Sequence, residues 1–143
     1  MKRFYVLFLV LVLGSLLNAC SASTANIQSA DLGTGFDGSA NTVTGATTPF
    51  DKTAPALHCV IKVANAPDGT TVRAVWTAVD VVDARGNAIK DKKLDESTST
   101  LKSDGAVDVK LNIPSAGEWP VGSYKVDIYL NDKLDRTVTA TVH

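Results

Sequence analysis

From about Pro49 onward, large apolar residues recur at every second position, and that spacing restricts this part of the chain to β-structure. Leu57, Cys59, Ile61 and Val63 share one face of a strand, with His58, Val60 and Lys62 on the other. Residues 70–82 form a long β-branched run around Trp76. Val107, Val109, Leu111 and Ile113 alternate with Asp108, Lys110 and Asn112, and Tyr124, Val126, Ile128 and Leu130 alternate with Lys125, Asp127 and Tyr129. Val138, Ala140 and Val142 close the pattern against three threonines. Turn clusters punctuate it at 65–69 (Asn-Ala-Pro-Asp-Gly), 83–87 (Asp-Ala-Arg-Gly-Asn), 103–105 (Ser-Asp-Gly) and Asn131-Asp132, the last suited to a two-residue hairpin. No stretch beyond residue 50 has a helical period. Short strands between turn signals, within residues 49–143, predict an all-β antiparallel sandwich of about seven strands.

The N-terminus has a different texture. Met1, Lys2 and Arg3 precede a nearly unbroken apolar run from Phe4 to Leu17, too short to span a bilayer comfortably, and small polar residues follow at once. That is the layout of a secretory signal. The sequence Leu17-Asn18-Ala19-Cys20 resembles the lipobox of bacterial lipoproteins. The resemblance implies cleavage after residue 19, a diacylglyceryl group on the Cys20 thiol and, in many bacteria, a palmitate-type acyl chain on the new amine. Two or more chains anchor stably where one is marginal. It implies a lipid-anchored protein of the cell membrane, and of the outer membrane in a Gram-negative cell, because Ser21 rather than an aspartate follows the cysteine. An ordinary cleaved signal and an uncleaved membrane helix are the alternatives.

Cleavage would leave residues 20–143, enough for one domain. Of 14 basic residues Lys2 and Arg3 would be lost, leaving 12 against 15 acidic and no basic stripe for nucleic acid. With Cys20 lipidated, Cys59 has no partner in its own chain, so it is a free thiol or forms an intermolecular bridge. Residues 21–48 hold Ile27, Leu32 and Phe36 as their only apolar side chains larger than valine, among Ser, Ala, Thr, Asn and Gly. That composition predicts a flexible stalk over 20–48, with a root-mean-square reach of roughly 30 Å.

The segment 122–126 (Gly-Ser-Tyr-Lys-Val) resembles the tyrosine corner of immunoglobulin-like domains, in which a Tyr opening strand F bonds back to the backbone. The resemblance implies that Tyr124 is the corner and that Val126 stands where the second disulfide cysteine would be. It places Cys59 at the strand B cysteine and Trp76 at the strand C tryptophan. The covalent staple would then be half absent and replaced by packing. With Phe50, residues 66–70 and residues 119–124, the region also resembles an uncharacterised Ig-like module of bacterial exported proteins, which carries no catalytic residues over to this chain.

Reactive chemistry finds little support in the sequence. His58 and Cys59 are neighbours on one strand and point to opposite faces, which defeats both a metal site and a Cys–His nucleophile pair. His143 is the only other histidine. Asp80, Asp83, Asn87, Asp91 and Asp95 could supply calcium only if six or more oxygens converged. No nucleophile elbow, phosphate loop or dinucleotide fingerprint occurs. No cofactor or metal is expected. Trp119 and Tyr129 are interface candidates, since exposed aromatics are enriched there. Their structural alternatives are a cap on the sandwich end for Trp119 and a cross-strand pair for Tyr129. The expectation is a non-enzymatic, lipid-anchored Ig-like binding or structural module of the cell envelope. The rivals are an accessory subunit docking on a larger envelope complex and, further off, an unrecognised hydrolase.

Overall fold

The computed structural model describes residues 23–143; the signal sequence expected over 1–19 and the lipid attachment expected at Cys20 lie outside the described residues. The described residues form nine strands and no helix. They are β1 (Asn26–Gly33), β2 (Gly35–Asp37), β3 (Thr42–Thr44), β4 (Ala56–Ala64), β5 (Thr70–Val82), β6 (Ala88–Leu101), β7 (Gly105–Asn112), β8 (Val121–Leu130) and β9 (Lys133–Val142). Two antiparallel sheets, ordered β1-β4-β7 and β6-β5-β8-β9, face each other, and β2 and β3 pair as a separate hairpin. Seven strands thus build the sandwich, in line with the expected number, but six of them lie within residues 49–143 and the seventh, β1, lies before that range.

The core lies between the sheets because each strand sends alternate side chains inward. Leu57, Cys59, Ile61 and Val63 of β4 join Val107, Val109 and Leu111 of β7 on one side. Val72, Ala74, Trp76 and Ala78 of β5 join Tyr124, Val126 and Ile128 of β8 on the other. The β8–β9 turn has Asn131 and Asp132 both at positive φ (49° and 65°), the two-residue geometry whose twist matches flanking strands. Gly122 has φ +138°, and a Cβ there would lie 2.2 Å from the Asp80 carbonyl oxygen, so only glycine fits where β8 crosses the bulge in β5.

The stalk expected over 20–48 is corrected by the structure from Asn26 to Thr44. Asn26–Gly33 is a full strand, paired with β4 from Asn26↔Ala64 to Gly33↔His58 with one bulge at Gln28. Ile27, Ala30 and Leu32 fall opposite Val63, Ile61 and Cys59 and pack on the core. Composition misled because an added edge strand need not build a core. It gains a ladder of main-chain hydrogen bonds and lays a few apolar groups on one that exists. Beyond it, the β2–β3 hairpin folds back against β4. Gly33 permits the approach, since a Cβ would meet the Thr44 oxygen at 2.4 Å. Val60, on the face of β4 opposite Cys59, is therefore buried. The domain boundary moves from residue 49 to about residue 25.

Candidate functional site

Tyr124 opens the inward pattern of β8 and is buried, and its hydroxyl donates to the Pro120 carbonyl at 2.6 Å. Pro120 lies in the loop between β7 and β8, the place the tyrosine-corner resemblance assigns to the acceptor. Burial pushes the Tyr124 hydroxyl pKa up to about 12, so it stays a donor. Trp119 packs edge-on against this ring, with centroids 6.1 Å apart and planes at 89°.

Trp119 corrects the interface expectation. It is 3% exposed, its indole Nε1 donates to the Ala54 carbonyl at 2.6 Å, and its backbone N–H donates to the Lys52 carbonyl at 2.8 Å. The tryptophan caps the core and pins segment 50–54 to the loop before β8. The interface expectation assumed an exposed ring, but the indole is packed against Tyr124 and satisfied by the Ala54 carbonyl.

Cys59, Trp76 and Val126 are fully buried in the same cluster. Burial, with a smaller contribution from the charges of Asp31 and Asp108, pushes the Cys59 thiol pKa up to about 12. A thiol held protonated is neither a nucleophile nor a metal ligand at neutral pH. Trp76 Nε1 has no hydrogen-bond partner among the described residues, a cost the surrounding packing must offset.

Tyr129 lies, as expected, on the outer face of the four-stranded sheet, directly across from Arg73. The guanidinium carbon sits 3.7 Å from the ring centroid. Arg73 also approaches Glu96 at 3.6 Å and Asp132 at 4.0 Å. One row along, Asp127 accepts from the Thr137 hydroxyl at 2.6 Å and pairs with Lys125 at 2.9 Å. Burial works to raise the Asp127 pKa, but the Thr137 hydroxyl and the Lys125 ammonium outweigh it and hold the carboxyl below its ordinary value. Tyr129 is thus half of a cross-strand pair inside a polar lattice that spans β6, β5, β8 and β9. Arg73 and Glu96 did not stand out in the sequence, and Asp127 was marked only by its place on the non-core phase of the alternation.

The remaining polar candidates serve the fold. His58 Nδ1 lies 2.9 Å from both Asp108 carboxylate oxygens across β4 and β7, with no thiol or hydroxyl in the pair. Asp83 holds its own turn, accepting from the Arg85 and Asn87 backbone N–H groups at 2.9 Å each and from the Asn87 amide at 3.0 Å. Those hydrogen bonds, from Asn87 first, lower its pKa. Asp80 pairs with Lys90 at 3.8 Å. Among the described residues no three His, Cys, Asp or Glu side chains converge as a metal site would require.

The sheet edges differ in how they are finished. The edge of β6 is broken by a bulge at Leu94, skipped between Asp95 and Lys93, and by Asp91 at φ 46°. The C-terminal half of β9 is covered by segment 50–52, with Phe50 N–H bonding the Thr141 carbonyl at 2.7 Å and His143 N–H bonding the Phe50 carbonyl at 3.0 Å. β7 is an eight-residue edge with regular register throughout.

No protein-family model matches the sequence, and no curated protein matches it. Solved structures do. An immunoglobulin-like protein from Pseudomonas aeruginosa is similar with a TM-score of 0.54 at 13% identity, over 85% of this chain and 99% of that one. The alkylpurine DNA glycosylase AlkC of Pseudomonas fluorescens matches at a TM-score of 0.45 and 13% identity, over 83% of this chain and only 30% of its own length. A GH3 beta-glucosidase from Bifidobacterium adolescentis matches at 0.42 and 13%, over 85% of this chain and 17% of its own. At these identities the likeness concerns fold alone, and the first of the three sets it: residues 26–142 form an immunoglobulin-like β-sandwich.

Proposed function

We propose that this chain is a lipid-anchored protein of the cell envelope whose Ig-like domain is a non-catalytic binding or structural module. The observation that carries the reading is Leu17-Asn18-Ala19-Cys20 behind a short apolar run flanked by Lys2 and Arg3. The side chains that could do chemistry support it by being committed elsewhere. Cys59 is buried and protonated, His58 is held by Asp108, and Asp83 fastens a turn. Replacing Cys20 by Ala tests the anchor. The expected result is loss of the protein from the membrane fraction and of the lipid mass from the N-terminal peptide. Unchanged membrane association in C20A would refute lipid anchoring and favour an uncleaved helix.

A second reading, an accessory subunit docking on a larger envelope complex, draws on the regular β7 edge, where an extended segment could add a strand. The Trp119 loop offers no such route, since its indole is buried.

A further inference from the structure

We infer that the end of the sandwich where β1 begins is held close to the bilayer, so that on average it lies nearer the headgroups than the opposite end. The inference rests on the lipid anchor proposed above. The first described residues do not trail away from the fold. The Thr24 hydroxyl donates to the Asn65 carbonyl at 2.9 Å, and Ser23 and Thr24 line a recess with Pro67, Asp68, Thr70 and Asn131. Ala25 packs on the core, and β1 begins at Asn26.

Cys20 is three residues from Ser23, and three residues reach at most about 11 Å whatever their conformation. A lipid on Cys20 therefore brings this end of the sandwich within about one loop's height of the headgroups. The strand directions say which end it is. β1 starts here, β4, β6 and β8 finish here, and β5, β7 and β9 depart from here. The membrane-side surface is thus built from loops 65–69 and 102–104 and the Asn131–Asp132 turn.

The opposite end carries the 83–87 turn, the loop before β8 and His143. β5 joins the two ends with 13 residues, which sets the far end about 40 Å from the near one. Val82 and Val121, cross-strand partners with 46% and 43% exposure, sit at that far end.

The tether, not attraction, sets the orientation. The near end has exposed Asp68, Asp104 and Asp132 against Lys102 and Lys133, no basic cluster for anionic headgroups. A long stalk would have let either end approach the bilayer equally; a three-residue tether keeps the near end beside it.

Site-directed labels on the lipidated full chain test this in vesicles of phosphatidylethanolamine and phosphatidylglycerol containing a headgroup-quencher lipid. Asp68→Cys marks the near end and Arg85→Cys the far end. Both are exposed turn positions, and the buried Cys59 stays unlabelled. Quenching is expected to be several-fold stronger at 68 than at 85. Equal quenching, or stronger quenching at 85, in protein that floats with the vesicles would overturn the orientation and leave the anchor intact. Failure of the unsubstituted chain to float with vesicles would overturn the anchor, and the orientation with it. A 20-residue Gly/Ser spacer inserted between Ala22 and Ser23, with a root-mean-square reach of about 25 Å, is expected to bring the two signals together. A difference that survives the spacer would overturn the tether as its cause.

Discussion

Removing one oxygen from Tyr124 is the sharpest test of the immunoglobulin-like corner. The Tyr124 hydroxyl makes one hydrogen bond, to the Pro120 carbonyl at 2.6 Å, from a side chain 1% exposed. Tyr124→Phe deletes that bond and leaves the ring, its edge-on contact with Trp119 and its place in the core. The net worth of such a bond is about 0.5–1.5 kcal/mol, and an acceptor left dry adds about 1–3 kcal/mol. Pro120 is only half-buried, so water can reach its carbonyl and the penalty falls near the low end. The expected loss is about 1–2 kcal/mol. With a urea slope of about 2 kcal/mol/M, the midpoint should fall by about 0.5–1 M at unchanged slope. Tyr124→Ala removes the ring as well and should cost about 3–5 kcal/mol, separating the hydroxyl from the packing. The assay is equilibrium urea unfolding of the Cys20-free domain followed by tryptophan fluorescence. An unchanged midpoint in Tyr124→Phe would show that the hydroxyl does not tie β8 to its preceding loop.

The Cys59 thiol, with its pKa pushed up to about 12 by burial, should resist a bulky thiol reagent at pH 8 until the domain unfolds. Labelling as fast as in a denatured control would place it outside the core. Cys59→Ser should lower stability by about 1–3 kcal/mol, since it buries a hydroxyl. Asp127 contributes through a lowered carboxyl pKa, so its share of stability is full above the ordinary value of 3.8 and is lost as pH falls through its folded-state value. Asp127→Asn should therefore flatten the acid limb of the pH–stability curve below about pH 4, and an unchanged limb would contradict the pairing with Thr137 and Lys125.

How much the sequence disclosed followed from how many faces of each strand are buried. β7, β8 and the C-terminal half of β9 bury one face and expose the other, so their alternation was legible, as were the Asn131-Asp132 turn and the Tyr124 corner; β5 was legible from its β-branched run instead. β6 was not. It is an edge strand mostly in solvent, with only Ile89 and Leu101 packed on the core, so its Lys, Asp, Ser and Thr carry almost no period. β1 was hidden for the same reason, and its polar residues imitated a linker. The burial of Trp119 depended on carbonyls 65 and 67 residues away, at Ala54 and Lys52, which no local pattern encodes. The Arg73, Tyr129 and Glu96 cluster likewise exists only through register across three strands.

That the folded sandwich begins at Asn26, six residues from the proposed lipid site, is the claim on which the fold and the membrane orientation both turn. Hydrogen exchange resolved to residues 26–33 measures it directly. The amides of β1 that face β4 should exchange orders of magnitude more slowly than an unstructured peptide, with protection comparable to the paired amides of β7 on the other side of β4. Exchange across 26–33 at the free-peptide rate, with β4 and β7 still protected, would restore the stalk and contradict the account.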